Sequence, residues 1–421
     1  MTAASVAAVC AEAREASPVL ARASDAAKDA ALEAMADALE QRLPEVLEAN
    51  ALDMDAGREA GLDASLLDRL SLDEGRVRGI AADVRRIAAL PDPVGEELEG
   101  RRLENGLEIR KVSVPLGVVA VVYEARPNVT IDCSALCLKS GNAIVLRGSS
   151  TAAHSNAVLA QVARDAVGSA GLPEALVSLV AGGGRDELAE LATQNEAVDL
   201  IIPRGGEGLK AALKQHATVP VMYAAAGNCH VFVDASAHLD DAVAITLNAK
   251  VQRPSVCNAV ETLLVHRDAA LEFLPRVLGE LRESGVELRA DGRGRTLAGP
   301  LGDSIAAATE EDWETEYHAL ILAVRVVDSV EEAIEHVNRY GSGHSDAIVT
   351  DSTDSARAFT ESVDTACVYV NASTRFTDGG VFGMGAEIGN STQKLHARGP
   401  IGVRELCTYK YVVEGSGQVR E

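Results

Sequence analysis

The chain has 421 residues, with 63 acidic and 39 basic side chains and a formal net charge of −24 at pH 7. This charge argues against nucleic acid and anionic membrane surfaces as partners, because the phosphate groups of both would be repelled. An apolar fraction of 47% over this length predicts a globular protein of two or three domains. The acidic surface, with only eight lysines, is typical of proteins adapted to high salt, where screening removes self-repulsion.

The N-terminal segment predicts neither a secretory signal nor a membrane span, because Glu12, Arg14 and Glu15 interrupt its apolar residues. No other apolar run approaches the length needed to cross a bilayer. The seven cysteines are scattered and form no CxxC pair, which indicates free thiols in a reducing cytoplasm. The nine histidines show no ligand spacing, so we expect no metal site.

Helices dominate the first ninety residues. A single helix is predicted over 24–50, because apolar residues recur at spacings of three and four from Leu32 to Leu47. A second helical stretch with charged faces is predicted to end near Leu90, before two prolines.

From about Leu107 the pattern alternates strands with helices, which indicates a parallel α/β sheet. One of these strands, GVVAVVY, is apolar on both faces, as in a sheet covered by helices on both sides. Strands are predicted at 107–114, 117–123, 143–147, 175–180 and 198–202, and helices at about 130–140, 151–169, 185–194 and 208–217.

The pattern restarts at the strand 231–235, and a domain boundary is predicted just before it. A helix over 239–250 and a strand over 261–265 follow, with a polar loop between them. The segment 405–413 alternates in the manner of an exposed or interface strand.

The loop between that helix and that strand carries Cys257, in the stretch RPSVCNAVETLLV. A polar turn before the cysteine and a β-type run after it predict a side chain presented where a strand begins. A thiol in this position can act as a nucleophile. A buried structural cysteine is the alternative, because free cysteine is among the most buried residue types.

Two features are typical of nucleotide binding in a doubly wound sheet. Arg147 ends a predicted strand before a helix, where a guanidinium could hold a ribose 2′-phosphate, although a solvated strand-end charge is the alternative. The turn RGGEG contains Gly205 and Gly206, which would let the backbone approach a pyrophosphate. It is not GxGxxG, so a plain glycine turn stays possible.

Asn128 follows a buried strand, where its amide could donate a hydrogen bond to an oxyanion or could simply form a turn. Glu316 precedes an apolar strand and could accept hydrogen bonds from a ribose hydroxyl, although exposed carboxylates are common. The run 382–400 is dense in glycine and charged residues, which is typical of a functional loop.

Taken together, these motifs resemble the γ-glutamyl phosphate reductases, a branch of the aldehyde dehydrogenase superfamily. The similar segments lie in the expected order over nearly the whole chain, and they are EARPNVT, GNAIVLRGSS, GNCHVFVD, QRPSVCNAVETLLV, DWETEYHALILAV and FGMGAEIGNSTQKLHARGP. The resemblance implies NADPH-dependent reduction of L-glutamyl 5-phosphate to L-glutamate 5-semialdehyde with release of phosphate, the second step of proline biosynthesis. It also implies a homo-oligomer, and it leaves contact with glutamate 5-kinase open.

The fold implied is α/β and aldehyde-dehydrogenase-like, with a Rossmann-like cofactor domain, an α/β catalytic domain and a β-flap for oligomerisation. The implied boundaries are 1–104 and 119–230 for the cofactor domain, 231–395 for the catalytic domain, and 105–118 with 396–421 for the flap.

The resemblance also implies a role for each candidate residue. Cys257 corresponds to the nucleophile, and Asn128 with the Cys257 backbone N–H would hold the oxyanion. The implied cofactor residues are Arg147 at the adenosine ribose, Gly205 and Gly206 at the pyrophosphate, and Glu316 at the nicotinamide ribose. Candidates for the substrate, by charge and placement only, are Arg253, Glu387, Lys394, His396 and Arg398.

Hydrolytic members of the superfamily carry a general-base glutamate where this chain reads AAAGNCH (224–230), without a carboxylate. A base that activates water is needed to hydrolyse a thioester and is not needed to reduce one. Two alternatives stay open: a hydrolytic NAD(P)-dependent aldehyde dehydrogenase, and a non-catalytic partner of glutamate 5-kinase.

Overall fold

The computed structural model describes residues 5–182, 184–223 and 226–420. The α-helices of these residues are α1 (Val6–Leu20), α2 (Asp25–Gln41), α3 (Leu43–Glu59), α4 (Ala64–Leu70), α5 (Glu74–Ala88), α6 (Asn128–Lys139), α7 (Ala153–Ser169), α8 (Arg185–Leu191), α9 (Glu207–His216), α10 (Leu239–Val251), α11 (Arg267–Glu283), α12 (Gly292–Leu297), α13 (Glu310–Glu314), α14 (Val330–Tyr340) and α15 (Thr353–Ser362). Their strands are β1 (Glu97–Arg102), β2 (Glu108–Pro115), β3 (Val118–Tyr123), β4 (Ala143–Gly148), β5 (Val177–Leu179), β6 (Leu200–Arg204), β7 (Cys229–Val233), β8 (Val260–His266), β9 (Glu287–Ala290), β10 (Ala306–Ala307), β11 (Ile321–Val327), β12 (Ser345–Val349), β13 (Cys367–Val370), β14 (Asn390–Ser391), β15 (Gly399–Pro400) and β16 (Cys407–Glu414).

The described residues form two compact units. The first draws on 1–224, 383–389 and 401–421, and the second on 225–382 and 390–400. The chain therefore passes from the first unit to the second between residues 223 and 226, returns to the first over 383–389, and returns again from residue 401 onward.

The first unit is built on a parallel sheet of four strands in the order β5-β4-β3-β6. All six residues of β3 and of β4 are buried, because helices cover both faces of the sheet. Glu124, Ser149 and Gly205 follow directly after the carboxyl ends of β3, β4 and β6. Loops at this edge are where open α/β sheets bind ligands.

The second unit is built on a parallel sheet of seven strands in the order β10-β9-β11-β8-β7-β12-β13. The central strands β7 and β8 are buried along their whole length. The loop that carries Cys257 leads from α10 into β8. The predicted α/β class is thus confirmed in both units.

A third sheet, in the first unit, is antiparallel with the order β1-β2-β16. Strands β2 and β16 are predicted from the sequence and pair from Cys407 opposite Pro115 to Glu414 opposite Glu108. Strand β1 is not predicted, because its residues ELEGRR are all exposed and show no apolar alternation. The role of this sheet in pairing subunits stays a prediction.

The single helix predicted over 24–50 is wrong. The structure has two helices there, α2 and α3, joined at Arg42, whose ψ of 17° lies outside the helical region. Pro44 stands in the first turn of α3 and has no N–H to continue the hydrogen-bond pattern of α2. Among the described residues, no helix is long and apolar enough to cross a membrane.

Candidate active site

Cys257 is the one exposed cysteine of the seven, all of which lie in described residues. Burial raises the pKa of the Cys10 and Cys407 thiols to about 11 and that of Cys229 well above its ordinary value. These buried thiols stay protonated and inert at neutral pH. Cys257 is therefore the thiol available for chemistry.

The loop that carries Cys257 is closed at its base by an ion pair. Lys250, in the last turn of α10, lies 2.5 Å from Glu261, in the second position of β8, and both side chains are fully buried. Burial raises the pKa of Glu261 to about 7 and lowers that of Lys250, although the charges of the pair oppose both shifts. The two ends of the loop are thus held together inside the protein.

The backbone of Cys257 runs directly over Gly227. A Cβ atom at position 227 would lie 1.8 Å from the Cys257 carbonyl oxygen and 2.3 Å from its Cα atom. The buried Cys229 thiol donates to the same carbonyl oxygen at 3.1 Å. Only glycine leaves room for the loop in this position.

A turn more than a hundred positions further along the chain lies against the same loop. Asn258 donates through Nδ2 to the carbonyl of Thr377 at 2.8 Å, and its own carbonyl accepts from the Thr374 hydroxyl at 2.7 Å. Arg375, on this turn, donates through Nε to Oε1 of Gln252 at 2.8 Å. Sequence reasoning missed Arg375, because an arginine in a polar loop carries no local signal of its partners.

Of the predicted substrate residues, Arg253 lies exposed on the Cys257 loop. Lys394 and Arg398 both pair with Asp364, at 2.5 and 2.9 Å, and they hold the pKa of that carboxyl below its usual range. His396 is exposed beside them in the chain, while Glu387 belongs to the first unit. Among the candidates in the second unit, Arg253 is the one that lies on the Cys257 loop.

Glu316 lies in the segment between α13 and β11 of the second unit, with its side chain 14% exposed. Its carboxylate is 3.3 Å from Nε2 of His318, which has a positive φ of 54°. The backbone N–H of His318 donates to the Glu261 carboxylate. The buried Glu261 therefore anchors both the segment that carries Glu316 and the base of the Cys257 loop.

Asn128 is the first residue of α6, in the first unit. Its Nδ2 donates to Oδ2 of Asp132, one helical turn later, at 2.8 Å. The second carboxylate oxygen of Asp132 is buried without a hydrogen-bond partner in the described chain. Burial raises the pKa of Asp132 to about 6, and the Asn128 hydrogen bond and the Arg204 charge oppose the shift. An ionised Asp132 fixes which end of the Asn128 amide is the nitrogen.

Arg147 and the glycine turn both lie at the carboxyl edge of the first unit's parallel sheet. Arg147 is buried and donates through Nη2 to the carbonyl of Gly184 at 2.5 Å. Burial lowers its pKa, and the charges of Glu187 and Glu124 oppose the shift.

At the glycine turn, the Gly206 N–H donates to the Glu124 carboxylate at 2.9 Å. A Cβ at position 205 would lie 2.6 Å from that carboxylate. The start of α9 thus already binds an anionic group, which occupies the position predicted for a pyrophosphate. No cluster of potential metal ligands occurs among the described residues.

Comparisons with known proteins agree with this architecture. The model of the Aldehyde dehydrogenase family matches residues 1–317 and 307–412. The γ-glutamyl phosphate reductases of Thermobifida fusca and Moorella thermoacetica are each 54% identical, over 98% and 97% of both chains. The solved structure of the Thermotoga maritima γ-glutamyl phosphate reductase has a TM-score of 0.96 and 46% identity, covering 99% of this chain and 100% of that one. The predicted aldehyde-dehydrogenase-like fold is confirmed.

We expect Gly227→Ala to lower the free energy of unfolding of the second unit by about 1–3 kcal/mol, because the new Cβ displaces the Cys257 backbone. Urea unfolding followed by the fluorescence of Trp313, the single tryptophan, measures this unit. The rate at which iodoacetamide alkylates Cys257 should change as well. Gly279→Ala, in α11 with open space around the new methyl group, is the control and should not destabilise. Equal free energies of unfolding for Gly227→Ala and Gly279→Ala would contradict the predicted clash between a Cβ at position 227 and the Cys257 backbone.

Proposed function

Since the chain belongs to the aldehyde dehydrogenase family, and within it to the γ-glutamyl phosphate reductases, we propose that it reduces L-glutamyl 5-phosphate to L-glutamate 5-semialdehyde and releases phosphate, the second step of proline biosynthesis. The observation that carries the proposal is the Cys257 loop. It presents the one exposed thiol of the chain on a backbone anchored by Lys250 and Glu261.

In the proposed reaction the Cys257 thiolate attacks the γ-acyl carbon. A C–S bond forms, the bond from carbon to the phosphate oxygen breaks, and phosphate leaves with that electron pair. Asn128 and the Cys257 backbone N–H are proposed to donate hydrogen bonds to the oxyanion. NADPH, when bound, would supply a hydride to the thioester carbon, and departure of the Cys257 thiolate would then free the aldehyde.

The residues at the carboxyl edge of the first unit's sheet fit a dinucleotide. The Gly206 N–H at the start of α9 donates to the Glu124 carboxylate, and a nucleotide phosphate that bound there would replace that side chain as the acceptor. Arg147 supplies a cation at the end of β4, two strands from β6 in the same sheet, which supports NADPH rather than NADH. Glu316 is proposed to hold the nicotinamide ribose.

The segment 224–230 supports reduction rather than hydrolysis. It contains no carboxylate to activate water. Its amide side chain, Asn228, is buried and donates to the backbone carbonyls of Trp313 and Tyr340 at 2.7 and 2.8 Å. The Asn228 amide therefore has a structural role and is not placed to activate water.

The decisive assay runs the reaction in the oxidative direction, with glutamate 5-semialdehyde and NADP⁺. We expect cofactor reduction to depend strictly on added phosphate, because phosphate is the group that releases the acyl enzyme. Turnover that is indifferent to phosphate would favour the hydrolytic dehydrogenase and end the proposal. NAD⁺ run in parallel tests the cofactor preference assigned to Arg147.

Cys257→Ala separates catalysis from a non-catalytic role beside glutamate 5-kinase. We expect turnover to fall by at least about 10⁴-fold while NADPH still binds, as followed by its fluorescence. Cys10→Ala, on α1 of the first unit, is the matched control and should stay active. Turnover retained by Cys257→Ala would remove this residue from the mechanism.

The oxidative rate should also depend on Asp132, because its ionised form fixes the Asn128 amide. Asp132→Asn should lower kcat about tenfold at pH 7.5, since the orienting negative charge is lost. Wild-type kcat should fall as pH drops through about 6, where Asp132 takes up a proton, and this limb should be absent from the variant. Asp55→Asn, exposed on α3, is the control. Superimposable profiles of kcat against pH for the wild type and Asp132→Asn would contradict the role of Asp132 in orienting the Asn128 amide.

A further inference from the structure

The turn that carries Arg375 is hydrogen-bonded to the Cys257 loop. The turn spans Thr374–Phe376, after β13. Asn258, the residue after Cys257, is almost fully buried, and hydrogen bonds join it to Thr374 of the turn and to Thr377, the residue after the turn. Arg375 is therefore fixed relative to the thiol although 117 positions separate it from Asn258.

The side chain of Arg375 reaches back to the other end of the loop. Its Nε donates to Oε1 of Gln252, the first residue after α10, at 2.8 Å. The turn and the side chain thus contact the loop on both sides of Cys257. Within the part of the chain that the structure describes, the two terminal nitrogens of Arg375 make no hydrogen bond or ion pair. Four N–H groups of a half-buried guanidinium remain for a ligand.

The charges around Arg375 favour an anion. Burial lowers the pKa of Arg375, the Arg253 charge lowers it further, and the charges of Cys257 and Asp378 raise it. Asp378 is exposed, and its Oδ1 accepts from the N–H groups of Gly380 and Val381. Two like charges brought together beside a thiol repel each other unless an anion lies between them.

We propose that Arg375, together with Arg253, binds the phosphoryl group of the acyl phosphate, and that the same pair binds inorganic phosphate in the reverse direction. This inference rests on the proposed function and assigns a residue that the sequence does not single out. A guanidinium whose Nε is already engaged presents its terminal nitrogens, which match two phosphate oxygens.

The phosphoryl group is the anion that this position suits. It is bonded through one oxygen to the carbon that Cys257 attacks, whereas the α-carboxylate of the substrate lies four carbon–carbon bonds away. As the C–S bond forms and the bond to the phosphate oxygen breaks, negative charge builds on the leaving oxygen. Arg375 stabilises that charge and the attacking thiolate, so it acts on both groups of one displacement.

The test compares the wild type with Arg375→Gln and Arg375→Lys in the oxidative direction, varying phosphate and semialdehyde separately. We expect the KM for phosphate to rise about thirtyfold in Arg375→Gln and about five- to tenfold in Arg375→Lys, because lysine keeps the charge and loses the paired donors. The KM for semialdehyde should change less than about twofold. Arg357→Gln, exposed on α15, is the control and should match the wild type.

A second measurement does not depend on turnover. Inorganic phosphate should protect Cys257 of the wild type from alkylation by iodoacetamide, and this protection should be lost in Arg375→Gln, with circular dichroism confirming that the variant is folded. If wild-type turnover depends on phosphate but the KM for phosphate is unchanged in Arg375→Gln, this inference is overturned and the proposed function stands. A rise in the semialdehyde KM instead would assign Arg375 to the α-carboxylate and also overturn it. A wild type indifferent to phosphate overturns the proposed function together with the inference.

Discussion

The buried ion pair between Lys250 and Glu261 anchors both ends of the loop that carries Cys257, the thiol proposed as the nucleophile. It joins the last turn of α10 to the start of β8, and neither side chain is exposed to solvent. Removing one partner would leave an uncompensated charge in a medium of low dielectric constant, which typically costs about 3–5 kcal/mol. The loop between these residues is therefore anchored in the core of the second unit. This anchor fixes the position of the exposed Cys257 on the loop.

The same ion pair also contacts the segment of the second unit that carries Glu316. The Lys250 ammonium lies 5.8 Å from the centre of the Tyr317 ring, and Glu261 accepts from the N–H of His318. Both contacts fix the segment of Glu316. On the far side of the loop, Asn258 fixes the turn of Arg375. Loops that are far apart in the chain are thus anchored to buried residues around the Cys257 loop. This anchoring fixes the positions of their side chains relative to one another.

The distribution of charge explains how a chain of net charge −24 can handle an anionic substrate. Net charge governs solubility and long-range attraction, whereas a ligand at contact distance responds to the charges next to it. Arg253 and Arg375 place two positive charges beside Cys257, and in the first unit the start of α9 binds the Glu124 carboxylate. The positions proposed to bind anions are local features within an acidic surface.

The sequence by itself determined the alternation of strands and helices, the buried strands such as β3, and the loop of Cys257, because period and turn chemistry are local properties. Motif order along the chain also determined the family. The tertiary structure alone decided the position of the Glu124 carboxylate at the start of α9 and the approach of Arg375 to the thiol. These depend on the order of strands in each sheet, where β13 lies three strands from β8. A pattern of neighbouring residues records which face of an element is buried, but it does not record which distant element covers that face.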